Sequence, residues 1–215
     1  MPPSYNLNER LYLDINKFAR ETPWAHPFMS TYSHYLGVTV LAILLLVAWW
    51  VARSDSSPDV AVANVLWAAG GTVLAWGAAH YILKPLVGEE RPYITLPHVE
   101  VLLTRTNGFS FPSGHATVAG AVIAGLWMSL RKIIALCATA LGLFLAFGRV
   151  YTGMHYLGDV LGGLLFGAIF IVVLHRPAIS LLDKFVRIVW HSKPFGILVE
   201  KNETSDPKLL KNLFK

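Results

Sequence analysis

Three short polar segments interrupt a chain that is otherwise strongly apolar. The first contains a lysine and an arginine seven residues apart, the second reads Pro-Ser-Gly-His, and the third combines an arginine, a histidine and an aspartate. The residues in them that could do chemistry are Lys84, Arg91, Ser113, Gly114, His115, Arg149, His155 and Asp159. Cations, imidazoles and a carboxylate together suit the capture of a phosphoryl group and its transfer to a nucleophile.

The cations and the start of a predicted helix are the parts that would bind the anion. Lys84, Arg91 and Arg149 offer three positive charges, and the planar fork of arginine binds phosphate oxygens in pairs. Ser113 and Gly114 lie at the predicted N-terminus of a helix, where free N–H groups and the helix dipole attract an anion. We therefore expect these five residues to surround a phosphate.

The two histidines and the aspartate are the parts that would react. His155 and Asp159 are four residues apart, so on a helix they share a face and can touch. A carboxylate on one imidazole nitrogen fixes the tautomer and leaves the other nitrogen free to attack, while His115 can protonate the departing oxygen. The same three side chains could instead bind zinc, although the neighbouring cations would repel a metal ion.

Long apolar runs indicate that membrane helices position these segments. Of the 215 residues, 54% are hydrophobic and 14% charged, and the runs have the length of about 20 residues that crosses a bilayer. The sequence predicts an all-α, polytopic helical membrane bundle, with an N-terminal amphipathic helix at the interface over residues 7–20. The predicted spans are residues 29–52, 60–83, 113–130, 133–152 and 157–174.

The distribution of charge predicts the orientation of the spans. With five spans the chain ends lie on opposite sides, and Lys and Arg residues number 11 on the side of the C-terminus and 7 on the other. The positive-inside rule places the C-terminus in the cytoplasm and all three polar segments on the extracytoplasmic side. The net charge of +5 does not indicate nucleic-acid binding, because most basic residues flank apolar runs.

The three segments resemble the signature motifs of the type 2 phosphatidic acid phosphatase family, K-x6-R-P, P-S-G-H and S-R-x5-H-x3-D. The resemblance implies a metal-independent phosphatase without a cofactor, working through a phosphohistidine. By position, His155 corresponds to the nucleophile, Asp159 to its partner and His115 to the acid, and the other five residues correspond to the phosphate-binding set. Gly148 departs from the pattern, because the family usually has serine there, and we expect the backbone to act at this position.

Within the family, the chain is most similar to the bacterial undecaprenyl-diphosphate phosphatases. That similarity implies hydrolysis of the terminal phosphate of a polyprenyl diphosphate, which recycles the lipid carrier of cell-wall precursors in the bacterial plasma membrane. A phosphatidylglycerophosphate or phosphatidate phosphatase would carry the same motifs. A non-catalytic lipid-phosphate binding or transport protein is an alternative of another class, and it would be marked by loss of the nucleophile or its partner, both of which are present.

The resemblance and the spans together predict the domain organisation. Residues 1–178 form a single membrane phosphatase domain that includes the interfacial helix, and residues 179–215 form a cytoplasmic amphipathic and charged tail. The expected partners are a lipid phosphate or diphosphate and the membrane lipids, with no nucleic acid. The sequence does not indicate an oligomeric state.

Overall fold

The computed structural model describes residues 5–129 and 131–191, and in that part of the chain every regular element is a helix. Four helices are long and apolar enough to cross a membrane, and a fifth apolar helix is shorter. The helices are α1 (Leu7–Glu21), α2 (Pro23–Ala52), α3 (Pro58–Ala78), α4 (Pro92–Thr95), α5 (Gly114–Met128), α6 (Lys132–Tyr151) and α7 (Leu157–His191). The predicted helical membrane bundle with an N-terminal helix is confirmed.

Two of the long helices differ from the predicted spans. The first begins at Pro23, six residues before the predicted start at residue 29. The last helix, α7, continues to His191 although Pro177 lies inside it, and its 35 residues have a length of about 52 Å. The predicted domain boundary at residues 178 and 179 therefore falls inside a helix, and residues 192–215 of the predicted tail lie outside the described residues.

Two π-helical turns widen the helices at the end of the bundle that carries the polar segments. One, Tyr32–Leu36, lies within α2. The other, Ala79–Leu83, continues α3 and leads into the single turn Lys84–Val87. Such turns shift the side chains that follow them around the helix, and they occur often at functional sites.

Glycines allow α5 and α7 to pack in direct backbone contact. A Cβ atom added to Gly120 would lie 2.0 Å from the carbonyl oxygen of Leu164, and one added to Gly167 would lie 2.1 Å from that of Thr117. Only residues without a side chain permit this approach. The contact holds the N-termini of the two helices, and so the second and third polar segments, next to each other.

We expect Gly167→Ala to destabilise the protein because its new methyl group would force the two helices apart. Overpacking of this kind costs about 1–3 kcal/mol, which corresponds to a fall of several degrees in Tm. Thermal unfolding in detergent measures the effect. Gly70→Ala is the matched control, since a Cβ there would meet nothing within 4 Å. Equal melting temperatures for the two variants would contradict the prediction.

Helix α1 begins with a capping box, in which Asn6 and Glu9 each accept the other's backbone N–H. Its apolar side chains Leu7 and Phe18 are exposed, at 72% and 50%. An exposed apolar face on a helix at the end of a membrane bundle fits the interfacial position that the sequence predicts.

The opposite face of α1 is docked on loops by hydrogen bonds, which the sequence did not predict. Asn16 is fully buried and exchanges two hydrogen bonds with the backbone of Glu100, at 2.8 and 2.9 Å. The hydroxyl of buried Tyr12 donates to the carbonyl of Gly153 at 3.3 Å, and Asn8 accepts the N–H of Gly158 at 2.8 Å. Helix α1 thereby holds the start of the loop between α6 and α7 and the first turn of α7.

Candidate active site

The structure brings all the predicted site residues to one end of the bundle. Lys84 follows the π turn at the end of α3, Arg149 lies in the last turn of α6, and Asp159 lies in the first turn of α7. Ser113 caps α5, and its N–H donates to the carbonyl of Asp159 at 3.0 Å. Six of these residues are at most 8% exposed, namely Lys84, Arg91, Ser113, Arg149, His155 and Asp159.

The imidazole of His155 is held between an acceptor and a donor. Its Nδ1 lies 3.2 Å from Oδ2 of Asp159, and its Nε2 lies 3.4 Å from Nη1 of Arg91. A carboxylate can only accept a hydrogen bond and a guanidinium can only donate one. The proton therefore belongs on Nδ1, and the lone pair of Nε2 faces the cations. This is the tautomer that a nucleophilic histidine requires.

Asp159 is itself fixed by more than the histidine. Its Oδ2 also accepts the N–H of Tyr156 at 2.9 Å and a short hydrogen bond from the hydroxyl of Ser110. Ser110 is fully buried and its oxygen lies 3.4 Å from Nδ1 of His155. The sequence motifs do not include Ser110, and its position two residues before Pro112 in a non-periodic loop is the only signal that could have found it.

Two of the cations hold the loop before α5 in place through hydrogen bonds to its backbone carbonyls. Arg91 donates from Nε to the carbonyl of Gly108 at 2.7 Å. Lys84 donates from Nζ to the carbonyls of Phe109 and Ser110 at 2.8 and 3.1 Å. Within residues 5–129 and 131–191, no carboxylate lies within ion-pair distance of these cations or of Arg149. No ion pair among the described residues therefore neutralises these cations, which favours an anion between them.

Buried polar atoms without a partner concentrate in this site. Arg149 donates from Nη1 to the carbonyl and hydroxyl oxygens of Ser33, at 3.1 and 3.2 Å, but its Nε has no partner in the described chain. The same holds for Oγ of Ser113 and Oδ1 of Asp159. Buried polar groups are nearly always hydrogen-bonded, so these atoms point to a polar ligand.

His115 lies at the mouth of an apolar groove. Its Nε2 is 3.4 Å from the carbonyl oxygen of His34 in the first π turn. Below it, side chains of α2, α3 and α5 enclose about 470 Å³. Gly114 closes the upper end, where a Cβ would come within 3.2 Å of the indole nitrogen of Trp76. An apolar chain attached to a group in the site could leave through this groove.

Burial lowers the pKa of His155 well below its ordinary value of 6.5, and the charges of Arg149, Arg91 and Lys84 lower it further. The carboxylate of Asp159 acts in the opposite sense, but it does not outweigh burial and the three cations. His155 is therefore neutral at pH 7, as an attacking nitrogen must be.

A lowered pKa sets the direction of the pH dependence. Protonation removes the lone pair of His155, so we expect the acidic limb of kcat/KM to lie below pH 6.5. Arg91→Gln removes one of the charges that lower the pKa, and the limb should move to higher pH. Arg105→Gln is the matched control, because Arg105 lies over the ring of Tyr93 at 5.4 Å. An unmoved limb in Arg91→Gln would contradict the assignment.

The zinc alternative lacks a set of ligands in the described residues. No three side chains of His, Cys, Asp or Glu come close enough together there to hold a metal ion. His155 and Asp159 instead contact each other and the cationic side of the site.

A buried His–Asp pair beside three cations, at one end of an apolar helical bundle, suits phosphoryl transfer in a membrane protein. The chain belongs to the PAP2 superfamily, whose family model matches residues 65–177. This membership confirms the resemblance seen in the three motifs, and the protein is a membrane PAP2 lipid phosphatase.

Three relatives illustrate the range of the family around this chain. It is 31% identical over 183 residues to the undecaprenyl-diphosphatase BcrC of Bacillus subtilis (strain 168), covering 85% of this chain and 90% of the relative. The crystal structure of Aquifex aeolicus LpxE matches with a TM-score of 0.61 at 22% identity, over 82% of this chain and 99% of that one. The PAP2 type phosphatidylglycerolphosphate phosphatase of Bacillus subtilis matches with a TM-score of 0.56 at 22% identity, over 84% and 88%. The two structural matches concern the fold.

Proposed function

We propose that the protein hydrolyses the terminal phosphate of a polyprenyl diphosphate of the undecaprenyl type through a phosphohistidine on His155. The observation that carries the proposal is the position of His155, whose Nδ1 contacts Asp159 and whose Nε2 faces Arg91 beside the other buried cations. The substrate class is supported by the similarity to an undecaprenyl-diphosphatase over most of both chains. Recycling of the cell-wall lipid carrier would be the physiological role.

The first chemical step transfers the phosphoryl group to the protein. Nε2 of His155 attacks the terminal phosphorus, the bond from phosphorus to the bridging oxygen breaks, and polyprenyl phosphate leaves. His115, protonated in the complex with the anionic diphosphate, donates a proton to that oxygen, and Asp159 stabilises the positive charge that develops on the imidazole of His155. Lys84 and the two arginines stabilise the negative charge on the equatorial oxygens.

The second step restores the enzyme. His115, now neutral, removes a proton from a water molecule, whose oxygen attacks the phosphorus of the phosphohistidine. The bond between phosphorus and Nε2 breaks, inorganic phosphate is released, and both histidines return to their starting protonation states. The sum is one diphosphate and one water converted to one monophosphate and one phosphate, with no redox change and no metal required.

The groove below His115 suits the apolar tail of such a lipid. It follows α5 from Gly114 to Val122, a length of about 12 Å, which would hold the first few isoprene units. The rest of the tail would remain in the bilayer. This arrangement would place the phosphate at headgroup level and the tail between the helices.

The first experiment measures phosphate release by detergent-solubilised protein with EDTA present. The substrates are undecaprenyl diphosphate, phosphatidylglycerophosphate and phosphatidate. We expect release to survive chelation and undecaprenyl diphosphate to give the highest kcat/KM. A preference for a glycerophospholipid would replace the substrate proposed here, and no release by folded protein would favour the lipid-phosphate binding or transport alternative.

Filling the groove should discriminate against long tails. We expect Ala69→Phe, which projects a ring from α3 into the groove, to lower kcat/KM for undecaprenyl diphosphate about tenfold. Isopentenyl diphosphate, whose tail is too short to reach the ring, should be hydrolysed at an unchanged rate. Gly70→Phe adds the same ring where a Cβ meets nothing within 4 Å, and serves as the control. Equal losses on both substrates would show that the groove does not hold the tail.

The proposed location of the site is the extracytoplasmic face of a bacterial plasma membrane, with the C-terminus in the cytoplasm. The excess of basic residues on the other side supports this orientation. A cysteine at exposed Leu86 in a Cys137→Ala background should react with a membrane-impermeant maleimide on intact cells. Labelling only after lysis would reverse the orientation.

A further inference from the structure

Gly148 occupies the position at which the family motif usually has a serine, and a side chain of another helix lies beside it. A Cβ added to Gly148 would stand 3.3 Å from Cβ and 3.7 Å from Oγ of Ser33. Ser33 belongs to the π turn of α2, 115 residues before Gly148 in the chain. The space that a serine side chain at position 148 would need is therefore partly taken by Ser33.

A chain of hydrogen bonds links Ser33 to Arg149 on one side and, through Thr152, to Gly148 on the other. Arg149 donates from Nη1 to Oγ of Ser33 at 3.2 Å. Thr152 uses its hydroxyl proton on the carbonyl of Gly148 at 2.8 Å, so at the contact of 3.4 Å between the two hydroxyls Ser33 is the donor. The order is Arg149 to Ser33 to Thr152 to Gly148, and the three side chains are buried.

We propose that Ser33 is the positioning residue for Arg149 and supplies the hydroxyl that the third motif lacks at position 148. The sequence predicted that only the backbone acts there. The carbonyl of Gly148 does take part, as the acceptor at the end of the chain, but the side-chain oxygen comes from α2.

The orientation of Arg149 explains why such a residue matters. Nη1 is held at two points on Ser33, its hydroxyl and carbonyl oxygens, which fixes the plane of the guanidinium. Nε is left buried and, in the described chain, without a partner, ready to donate to a phosphate oxygen. With the hydroxyl removed, a single bond to the carbonyl remains, and the guanidinium can rotate about it. This inference rests on the phosphate-binding role proposed for Arg149.

Inhibition by inorganic phosphate, the reaction product, tests this without involving the lipid tail. We expect Ser33→Ala to raise the inhibition constant about tenfold, the size expected for one lost hydrogen bond to a charged group. Ser33→Cys preserves the shape and has a much weaker acceptor, so it should behave in the same way. Ser129→Ala, which removes a hydroxyl bonded to the carbonyl of Leu126, is the matched control and should leave the constant unchanged.

A merely structural role for Ser33 would not give this result, because an inhibition constant does not depend on how much of the enzyme is folded. A swap of the two side chains gives a second test. Gly148→Ser alone is crowded by Ser33, and Ser33→Gly alone lacks the hydroxyl. The double variant Ser33→Gly/Gly148→Ser relieves the crowding and restores a hydroxyl, and its inhibition constant should return to within about threefold of wild type.

The outcomes separate this inference from the proposed function. Wild-type inhibition constants in both Ser33→Ala and Ser33→Cys, with a large change in Arg149→Ala, would overturn the role of Ser33 alone. An unchanged constant in Arg149→Ala would instead overturn the phosphate-binding role of that arginine. A double variant no better than Ser33→Gly would show that Ser33 does not stand in for the missing serine.

Discussion

Replacing His155 with alanine is expected to lower phosphate release by about 10⁴-fold or more, whatever the lipid substrate. The variant removes Nε2, the nitrogen that faces Arg91 with its lone pair free for attack. No other side chain of the described residues occupies an equivalent place between Asp159 and Arg91. The remaining rate would come from water attacking a substrate held by the three cations, which is a far slower reaction. Initial rates of phosphate release in EDTA measure the effect.

The same variant should still bind phosphate, since Arg149 and Lys84 are intact, and protection from thermal unfolding by phosphate would report that binding. His98→Asn is the matched control, because His98 is exposed and asparagine tolerates its positive φ of 55°. Activity of the His155→Ala protein within about tenfold of wild type would exclude a phosphohistidine on this residue.

Asp159→Asn is expected to lower kcat by about 10³-fold. An amide oxygen placed at the position of Oδ2 keeps the hydrogen bonds from His155, Tyr156 and Ser110, so the tautomer of the histidine is retained. What is lost is a negative charge beside an imidazole that becomes positive during attack. Such a pair at about 4 Å contributes about 4 kcal/mol at an effective dielectric constant of about 20, which corresponds to that factor in rate.

Two variants calibrate this measurement. Ser110→Ala removes a neutral donor to the same carboxylate oxygen and should cost only about tenfold. Asp14→Asn makes the same chemical change on an exposed position of α1 and should cost nothing. A loss in Asp159→Asn no larger than that in Ser110→Ala would mean that the charge of Asp159 does not stabilise the transition state.

The motif residues could be found from sequence because their spacing follows from the elements that carry them. His155 and Asp159 are four apart and their side chains are in contact, although His155 lies in the loop two residues before α7 and only Asp159 lies in the helix. Ser113 precedes a helix whose N–H groups are free. Topology alone then predicts that the segments meet at one end of the bundle, since each lies at an end of a span. The lengths of apolar runs predicted both ends of the spans at 113–130 and 133–152 to within two residues, but they missed the extension of α7 to His191.

The supporting residues could not be found in this way. Ser110 lies in a loop with no periodicity, and Ser33 is one of several polar residues at the start of the first predicted span, with no motif that singles it out. Ser33 reaches Arg149 from a π turn, and the sequence gives no sign of an extra residue in the helical turn. Contacts of this kind depend on how two distant helices are rotated, which a pattern along one helix does not encode.

The amphipathic pattern of α1 revealed its two faces but not the partners of the polar one. Apolar positions predicted a face toward lipid, and the charges suggested that the other face meets water. Tyr12 and Asn16 instead bind backbone groups of Gly153 and Glu100. Loop backbones offer no sequence signal of their own, so docking of this type becomes visible only in three dimensions.

The docking of α1 also constrains the order of events during biosynthesis. This helix leaves the ribosome before the other described helices, yet the backbone groups that it binds lie 84, 141 and 150 residues further along the chain. While the later spans are being inserted, α1 can bind only to the membrane surface, and its exposed leucines suit that position. The loop that carries His155 can be clamped only after α7 has emerged and its N-terminal end has reached the side of the membrane where α1 lies. Catalytic competence is thus acquired at the end of insertion, and a partly translocated chain would not yet be a working hydrolase.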